Sequence, residues 1–325
     1  MRLRPLLLCS SLAFAGGLAS VVERAPTAAG IDRIGAVVDR IRTTQRFAAG
    51  VADRCAPLVD PFGELGADPA VDEEFRARLR RCGYAVCRAP TPLAPVVDRA
   101  TALLRDDAAL VAAGGAVSLS SEGRSGEYFG AYGDEATRFV DVRFDGAGRP
   151  LPRELGAFPV DDATAALADL GFRACAAAGL DPALVDDPRS SIRGAVSSTA
   201  LRLAWYDASD ETPFDAHTDA TFLTVAPFSP GLEFYDGAAW HAPRAAADDD
   251  LAVVWAGSLL EIVDATFAAT VHRVVGTPEP RTSTPLLLRG HPAARPLGVP
   301  MQDCWEALQK RDAGEAADYL RARLE

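Results

Sequence analysis

The chain has 325 residues, 49% of them apolar, enough to bury a sizeable core in one large domain. Its 33 Lys and Arg stand against 45 Asp and Glu, and the resulting net charge of −12 opposes binding to a phosphate backbone and excludes nucleic acid as a partner. Of six cysteines, Cys9 lies in the N-terminal apolar run; the five beyond it are an odd number with no Cys-x-x-Cys pair, which indicates neither a disulfide framework nor a zinc ribbon and leaves buried or free thiols as the expectation.

Residues 1–20 have the order of a targeting leader: basic Met1-Arg2-Leu3-Arg4, an apolar run from Pro5 to Leu18, and Ala13-Phe14-Ala15 as a cleavage-like site. Such a leader implies the secretory route or import into an organelle, a plastid included. The apolar run is shorter than the ~20 residues a membrane span needs, and no later segment comes closer, so no stable membrane span is expected. Residues 21–66 read as an N-terminal helical extension. Ile31, Ile34, Val38 and Ile41 recur at three- and four-residue steps among charged positions, which predicts an amphipathic helix on the outside of the main domain.

Residues 67–197 read as a helix-rich N-terminal part of that domain. Asp68 as N-cap and Pro69 in the first turn start a helix that ends near Arg80, and Gly83 leads into the strand-like run Tyr84-Ala85-Val86-Cys87. Leu93 to Ala113 reads as one further helix closed by Gly114-Gly115, and Val117 to Leu155 as loops and short strands that shape a pocket. Asp161 to Leu180 is predicted as a helix with an Asp N-cap and Gly179 near its end.

From residue 198 to 292 the signal changes to short apolar runs: Ala200 to Trp205, Thr221 to Pro227, Leu251 to Trp255, Thr270 to Val275 and Thr284 to Leu288. Short strands this close together, separated by Gly, Pro and Asp clusters, predict a mainly β (α+β) fold with a jelly-roll core and flanking helices, and residues 293–325 return to helix. The run Asp248-Asp249-Asp250 reads as a solvated turn.

Two of the four histidines stand in the pattern His217-x-Asp219, then 52 residues, then His272. Side chains two apart on a strand point the same way, so His217 and Asp219 at a strand end can present one nitrogen and one oxygen to an ion, with His272 arriving from a second strand. Two imidazoles and one carboxylate leave coordination positions open, which is what a non-heme ferrous centre needs to bind oxygen and a chelating cosubstrate. Either half alone is weak. The third element is Arg281-x-Ser283 on the next strand, where a guanidinium and a hydroxyl can bind a carboxylate through charge-assisted hydrogen bonds. An ion with an open face beside such an arginine suits 2-oxoglutarate. His241 and His291 are expected to face solvent.

Over residues 198–292 these motifs resemble the isopenicillin N synthase-like branch of the Fe(II)- and 2-oxoglutarate-dependent dioxygenases. The likeness rests on His217-Thr218-Asp219, Val271-His272-Arg273-Val274 and Arg281-Thr282-Ser283, with supporting stretches at Leu201 to Tyr206, Gly231 to Phe234 and Ala256 to Glu261. It implies a double-stranded β-helix core, Fe(2+) at His217, Asp219 and His272, and 2-oxoglutarate held by Arg281 and Ser283 with Tyr206 beside it. It also implies a dioxygenase that takes a small-molecule substrate and O2, most simply hydroxylating the substrate with release of succinate and CO2. The protein is expected to act as a monomer. Ala204 and Ser258 depart from residues common in relatives, as does the acidic stretch Asp207 to Glu211, so the substrate does not carry over. Two further readings stay open: an iron oxidase of the same fold in which Arg281 and Ser283 bind the substrate's own carboxylate, and a non-catalytic metal-binding jelly roll.

Overall fold

The structure, a computed structural model, describes residues 26–44, 65–66, 68–89, 91–119, 127–145, 149–152, 160–187, 196–237, 239–243, 251–310 and 313–324. The leader, Cys55 and the Asp248-Asp249-Asp250 turn predicted from the sequence lie outside the described residues. In chain order the elements are α1 (Ala28–Thr44), α2 (Pro69–Cys82), β1 (Tyr84–Arg88), α3 (Ala94–Leu104), α4 (Asp107–Ala113), β2 (Val117–Ser118), β3 (Tyr128–Gly133), β4 (Thr137–Phe144), β5 (Pro150–Leu151) and α5 (Val160–Ala177). They continue with β6 (Ala200–Tyr206), β7 (Phe214–His217), β8 (Leu223–Pro227), β9 (Leu232–Tyr235), β10 (Trp240–His241), β11 (Leu251–Ala256), α6 (Ser258–Val263), β12 (Val271–Val274), β13 (Arg281–Ser283), β14 (Leu286–Leu288), α7 (Met301–Leu308) and α8 (Ala313–Leu324).

The named strands pair antiparallel in two sheets. The larger runs β1-β11-β8-β14-β6-β4-β3-β2, with β13 on the far half of β6 and β5 on β4; the smaller runs β10-β9-β12-β7. Two facing antiparallel sheets with helices on one side form the jelly-roll expected from the spacing of the apolar runs.

Strand alternation decides which side chains meet the helices and which enter the space between the sheets. On β4, β6, β8 and β14, Val140, Val142, Leu201, Leu203, Val225, Leu286 and Leu288 join a core cluster with Leu167 and Leu170 of α5. Between them Phe139, Asp141, Arg202, Ala204, Tyr206 and Thr224 take the other face. Gly171 of α5 allows this packing, because a Cβ there would lie 2.6 Å from Leu288 Cδ1. Inside, Tyr84 stacks on Phe234 with centroids 4.4 Å apart, and Phe234 meets Trp255 edge to face, joining the two sheets.

The helix-to-strand entry forms as the sequence predicts. Asp68 accepts from the Ala70 amide, Pro69 occupies the first turn, and Gly83 at φ +77° closes α2. The Thr270 hydroxyl and the Ala256 amide both donate to the Gly83 carbonyl, fixing β1 against β11 and the approach to β12. Ile34, Val38 and Ile41 of α1 are buried within the main core cluster, and Arg40 forms a two-pronged ion pair with Glu261 of α6.

Several boundaries differ from expectation. The Leu93 to Ala113 stretch breaks into α3 and α4 because the Asp106 carboxylate caps the amides of Ala108 and Ala109 and starts a new helix. Asp161 lies inside α5 rather than at its cap; the left-handed Gly179 ends that helix, with the Leu180 amide donating to Cys175 O. The C-terminal stretch divides into α7 and α8. Cys82 is disulfide-bonded, which corrects the expectation of thiols alone; an odd cysteine count does not forbid a single pair. Cys87, Cys175 and Cys304 are buried free thiols, and burial pushes Cys175 up to about 12.

Candidate metal and cosubstrate site

His217 ends β7 and His272 lies in β12, and the two residues are register partners across that antiparallel pair. Their rings stand 4.2 Å apart, centroid to centroid. Asp219 departs from the expected geometry: the strand ends at His217, so the aspartate sits in the following turn instead of on the same strand face. Its carbonyl accepts from the Ser258 amide at 2.8 Å, which bends the chain so that the carboxylate returns toward the two imidazoles.

Hydrogen bonds determine which atoms are left over. His217 Nδ1 donates to the Asp215 carbonyl at 2.8 Å and His272 Nδ1 to the Thr270 carbonyl at 3.1 Å, so each ring carries its proton there and turns an Nε2 lone pair inward. Asp219 Oδ2 accepts from Thr224 Oγ1 at 2.7 Å and from Trp255 Nε1 at 2.9 Å, leaving Oδ1 uncommitted. His217 Nε2 is 3.8 Å from Asp219 Oδ1 and His272 Nε2 is 3.7 Å from Asp219 Oδ2, too long for hydrogen bonds. Two donors ~2.1 Å from one ion can be up to about 4.2 Å apart, so these spacings fit a shared divalent cation. One ligand atom from each residue lies within 4.8 Å of the others.

The electrostatics agree with that donor set. Burial, then the neighbouring His272, push His217 down to about 4, keeping it neutral and able to ligate at physiological pH. Burial alone would raise the Asp219 carboxyl, but His272, His217 and the Thr224 hydroxyl outweigh it and hold it below its ordinary value.

Arg281 and Ser283 occupy β13, paired with Tyr206 and Ala204 of β6. The Arg281 guanidinium lies 5.0 Å over the Tyr206 ring, and its Nη1 donates to the Pro230 carbonyl. Its Nε is buried without a hydrogen-bond partner. Burial lowers the Arg281 pKa and raises that of Tyr206. A buried cation with a free donor calls for an anion. Gly231, at φ +82°, makes room for it, since a Cβ would lie 2.9 Å from Arg281 Nη1 and 2.8 Å from Val275 O. The donor set and the orphaned guanidinium thus fit Fe(2+) and 2-oxoglutarate.

Sequence reasoning missed several residues of the interior. Thr224 and Trp255 fix the carboxylate of Asp219, and Tyr132, Phe139 and Phe214 join the Tyr206 expected from the sequence in an aromatic wall that reaches His217. Arg202, bound bidentately by Asp141 at 2.7 and 2.9 Å, was legible as the one charge alternating with Leu201 and Leu203 on an otherwise apolar strand. His241 is not solvent-facing as predicted: Asp236, almost fully buried, holds it at 2.8 Å. His291 is half-buried and accepts from the Ala293 amide. Neither joins the cluster.

No protein-family model matches the chain, and no curated protein matches it in sequence. Solved structures do. A protein assigned to the 2OG-Fe(II) oxygenase family from Caulobacter crescentus is 22% identical, with a TM-score of 0.57 over 83% of this chain and 99% of that one. A full-length Neurospora crassa protein, solved in complex with alpha-KG and 5-formyluracil, is 16% identical, with a TM-score of 0.59 over 86% and 99%. The 2-oxoglutarate complex of AtDAO1, a dioxygenase for auxin oxidation from Arabidopsis thaliana, is 16% identical, with a TM-score of 0.53 over 73% and 93%. The chain shares with them the jelly-roll fold of the 2-oxoglutarate- and iron-dependent oxygenases.

Proposed function

We propose that the protein is an Fe(II)- and 2-oxoglutarate-dependent dioxygenase that oxidises, most simply hydroxylates, a small molecule. The observation that carries this reading is the set of uncommitted donors His217 Nε2, Asp219 Oδ1 and His272 Nε2, together with a buried guanidinium lacking a partner at Nε. His217, Asp219 and His272 hold the metal through one face and leave its other positions open. Arg281 receives the far carboxylate of 2-oxoglutarate, Ser283 lies two residues along the same strand face to add a hydroxyl, and Tyr206 packs under the guanidinium. When bound, iron and the cosubstrate supply the oxidising power and release succinate and CO2. The chain's own work is positional. Thr224 and Trp255 keep Asp219 from rotating, the Asp215 and Thr270 carbonyls keep both rings in the ligating tautomer, and Tyr132, Phe139 and Phe214 present an apolar wall that limits water. The likeness in fold to structures that hold 2-oxoglutarate supports the reading.

The test is succinate release from 2-oxoglutarate with Fe(II) and oxygen. Metal-dependent release is expected, abolished in Asp219→Ala and strongly reduced in Arg281→Met. Oxidation of a substrate without succinate would assign Arg281 to the substrate and remove the cosubstrate from the account.

A further inference from the structure

Arg202 of β6 and Asp141 of β4 are register partners, and both side chains take the inner face of the large sheet. The carboxylate grips the guanidinium side-on: Oδ1 accepts from Nε at 2.7 Å and Oδ2 from Nη2 at 2.9 Å. A guanidinium carries five N–H donors in one plane, and this grip uses two of them. Among the described residues no acceptor meets Nη1, so the outer edge, made of Nη1 and the second N–H of Nη2, is unengaged. The Asp141 side chain is 2% exposed and that of Arg202 20%. Leu201 and Leu203 on either side of Arg202 go to the helix layer, so its exposure opens on the space between the sheets.

The aromatic wall begins at this guanidinium. Arg202 Cζ lies 5.7 Å from the Phe139 ring centroid and 5.9 Å from that of Tyr132. Those two rings stand 5.0 Å apart with 22° between their planes, and Phe139 leads at 6.1 Å to Phe214, whose ring is 4.5 Å from that of His217. The metal ligands are reached across the sheet as well. β14 separates β6 from β8, with Leu287 pairing Ala200 on one side and Thr224, the donor to Asp219, on the other. Two strand spacings of ~4.8 Å put Thr224 about 10 Å from Ala200, the inward residue before Arg202. Arg281 stands apart, paired with Tyr206, about 13 Å further along β6 at ~3.3 Å per residue. Between them the inward residue is Ala204, whose side chain fills little of the interval.

We propose that the outer edge of Arg202 recognises the substrate, and that the substrate is a planar, uncharged ring compound bearing a carbonyl oxygen, as in an aromatic amide or lactam. The flat part lies along Tyr132, Phe139 and Phe214, and the carbonyl oxygen accepts from Nη1. Charge decides against a carboxylate. Asp141 already cancels the guanidinium, and a second carboxylate on the adjacent edge would stand beside the first in a low-dielectric interior. A neutral acceptor gains the charge-assisted donor without that repulsion. Asp141 therefore both positions Arg202 and sets the charge it will accept. The proposal rests on the oxygenase reading for its setting, and its binding test needs no turnover.

Matched sets of an aromatic amide, its carboxylate and its parent hydrocarbon, from benzamide, benzoate and benzene up to fused rings, are titrated calorimetrically into the full-length protein. The protein is loaded anaerobically with Fe(II) and saturating 2-oxoglutarate so that Arg281 is occupied. The best-bound amide is expected to exceed both its carboxylate and its hydrocarbon by about 10- to 100-fold, the scale of a hydrogen bond from a charged donor. Replacing the pair together, Arg202→Met with Asp141→Leu, leaves neither charge buried alone and should erase the preference over the hydrocarbon. Asp141→Asn should reverse the order of amide and carboxylate, because the guanidinium then keeps its charge. If no amide binds the unmodified protein more tightly than both its counterparts, absence of binding included, the proposal is overturned whether or not the variants fold. A preference that survives the paired replacement overturns it too. The visible absorption of the Fe(II) and 2-oxoglutarate complex separates the two readings: it should persist in the paired variant and vanish in Arg281→Met. Its loss in the paired variant would give Arg202 to the cosubstrate and refute the assignment. Its absence from the unmodified protein would count against the oxygenase reading alone.

Discussion

His217 and His272 are direct partners in the β7–β12 ladder, so a backbone register brings the two imidazoles together, 4.2 Å centroid to centroid. The same ladder continues through Val274 and Phe214 with a bulge between, which turns Phe214 against the His217 ring at 4.5 Å. The proposed metal ligation is therefore tied to strand pairing, and the fold prearranges the candidate ligands.

Asp219 depends on two donors from elsewhere. Thr224→Val and Trp255→Phe each remove one bond to Oδ2, and each is expected to weaken divalent metal binding by about 10- to 100-fold. Metal titration followed by fluorescence measures this, and the combined variant should lose more than either alone. Unchanged affinity in both would show that Asp219 needs no such support.

Gly231 should be intolerant of a side chain. Gly231→Ala forces a Cβ into a left-handed backbone at a cost of ~1–2 kcal/mol and against Arg281 Nη1. The expected result is a raised KM for 2-oxoglutarate with metal affinity preserved, read from succinate release and metal titration on the same preparation.

The Asp141 and Arg202 pair gives a pH signature. Burial pushes the Asp141 carboxyl up, but the charge and hydrogen bonds of Arg202 outweigh it and leave it below its ordinary value. A lowered carboxylate contributes stability above its unfolded pKa and loses it as pH falls through the folded one. Asp141→Asn leaves a buried guanidinium unpaired and should cost about 3–5 kcal/mol at neutral pH. Denaturant unfolding of both proteins should show the gap narrowing only in strong acid.

The first helix belongs to the core. Ile34 is fully buried, so Ile34→Ala should destabilise the protein by roughly 2–5 kcal/mol in the same unfolding experiment. A change under about half a kcal/mol would mean that α1 packs loosely.

The parts of this architecture legible in the sequence were those governed by short periods. Short apolar runs gave β6, β8, β11, β12 and β14, and Asp68 with Gly83 gave both ends of α2. The motif His217-x-Asp219 was legible as composition but not as geometry, because the strand stops at His217 and a hydrogen bond from the Ser258 amide, far along the chain, aims the carboxylate. Thr224 and Trp255 carry no local signal: their roles come from long-range pairing of β8 and β11, which brings an ordinary threonine and tryptophan to the same interior. The break at Asp106 was overlooked because helical periodicity runs through it, while its carboxylate caps the next turn.

The central claim, that His217, Asp219 and His272 hold iron while Arg281 anchors 2-oxoglutarate, is tested most directly by mixing the protein with Fe(II) and 2-oxoglutarate under anaerobic conditions and recording the visible spectrum. A weak charge-transfer band should form in the unmodified protein and disappear in His217→Ala, Asp219→Ala and Arg281→Met. No band in the unmodified protein, or an undiminished one in Asp219→Ala, would contradict the account.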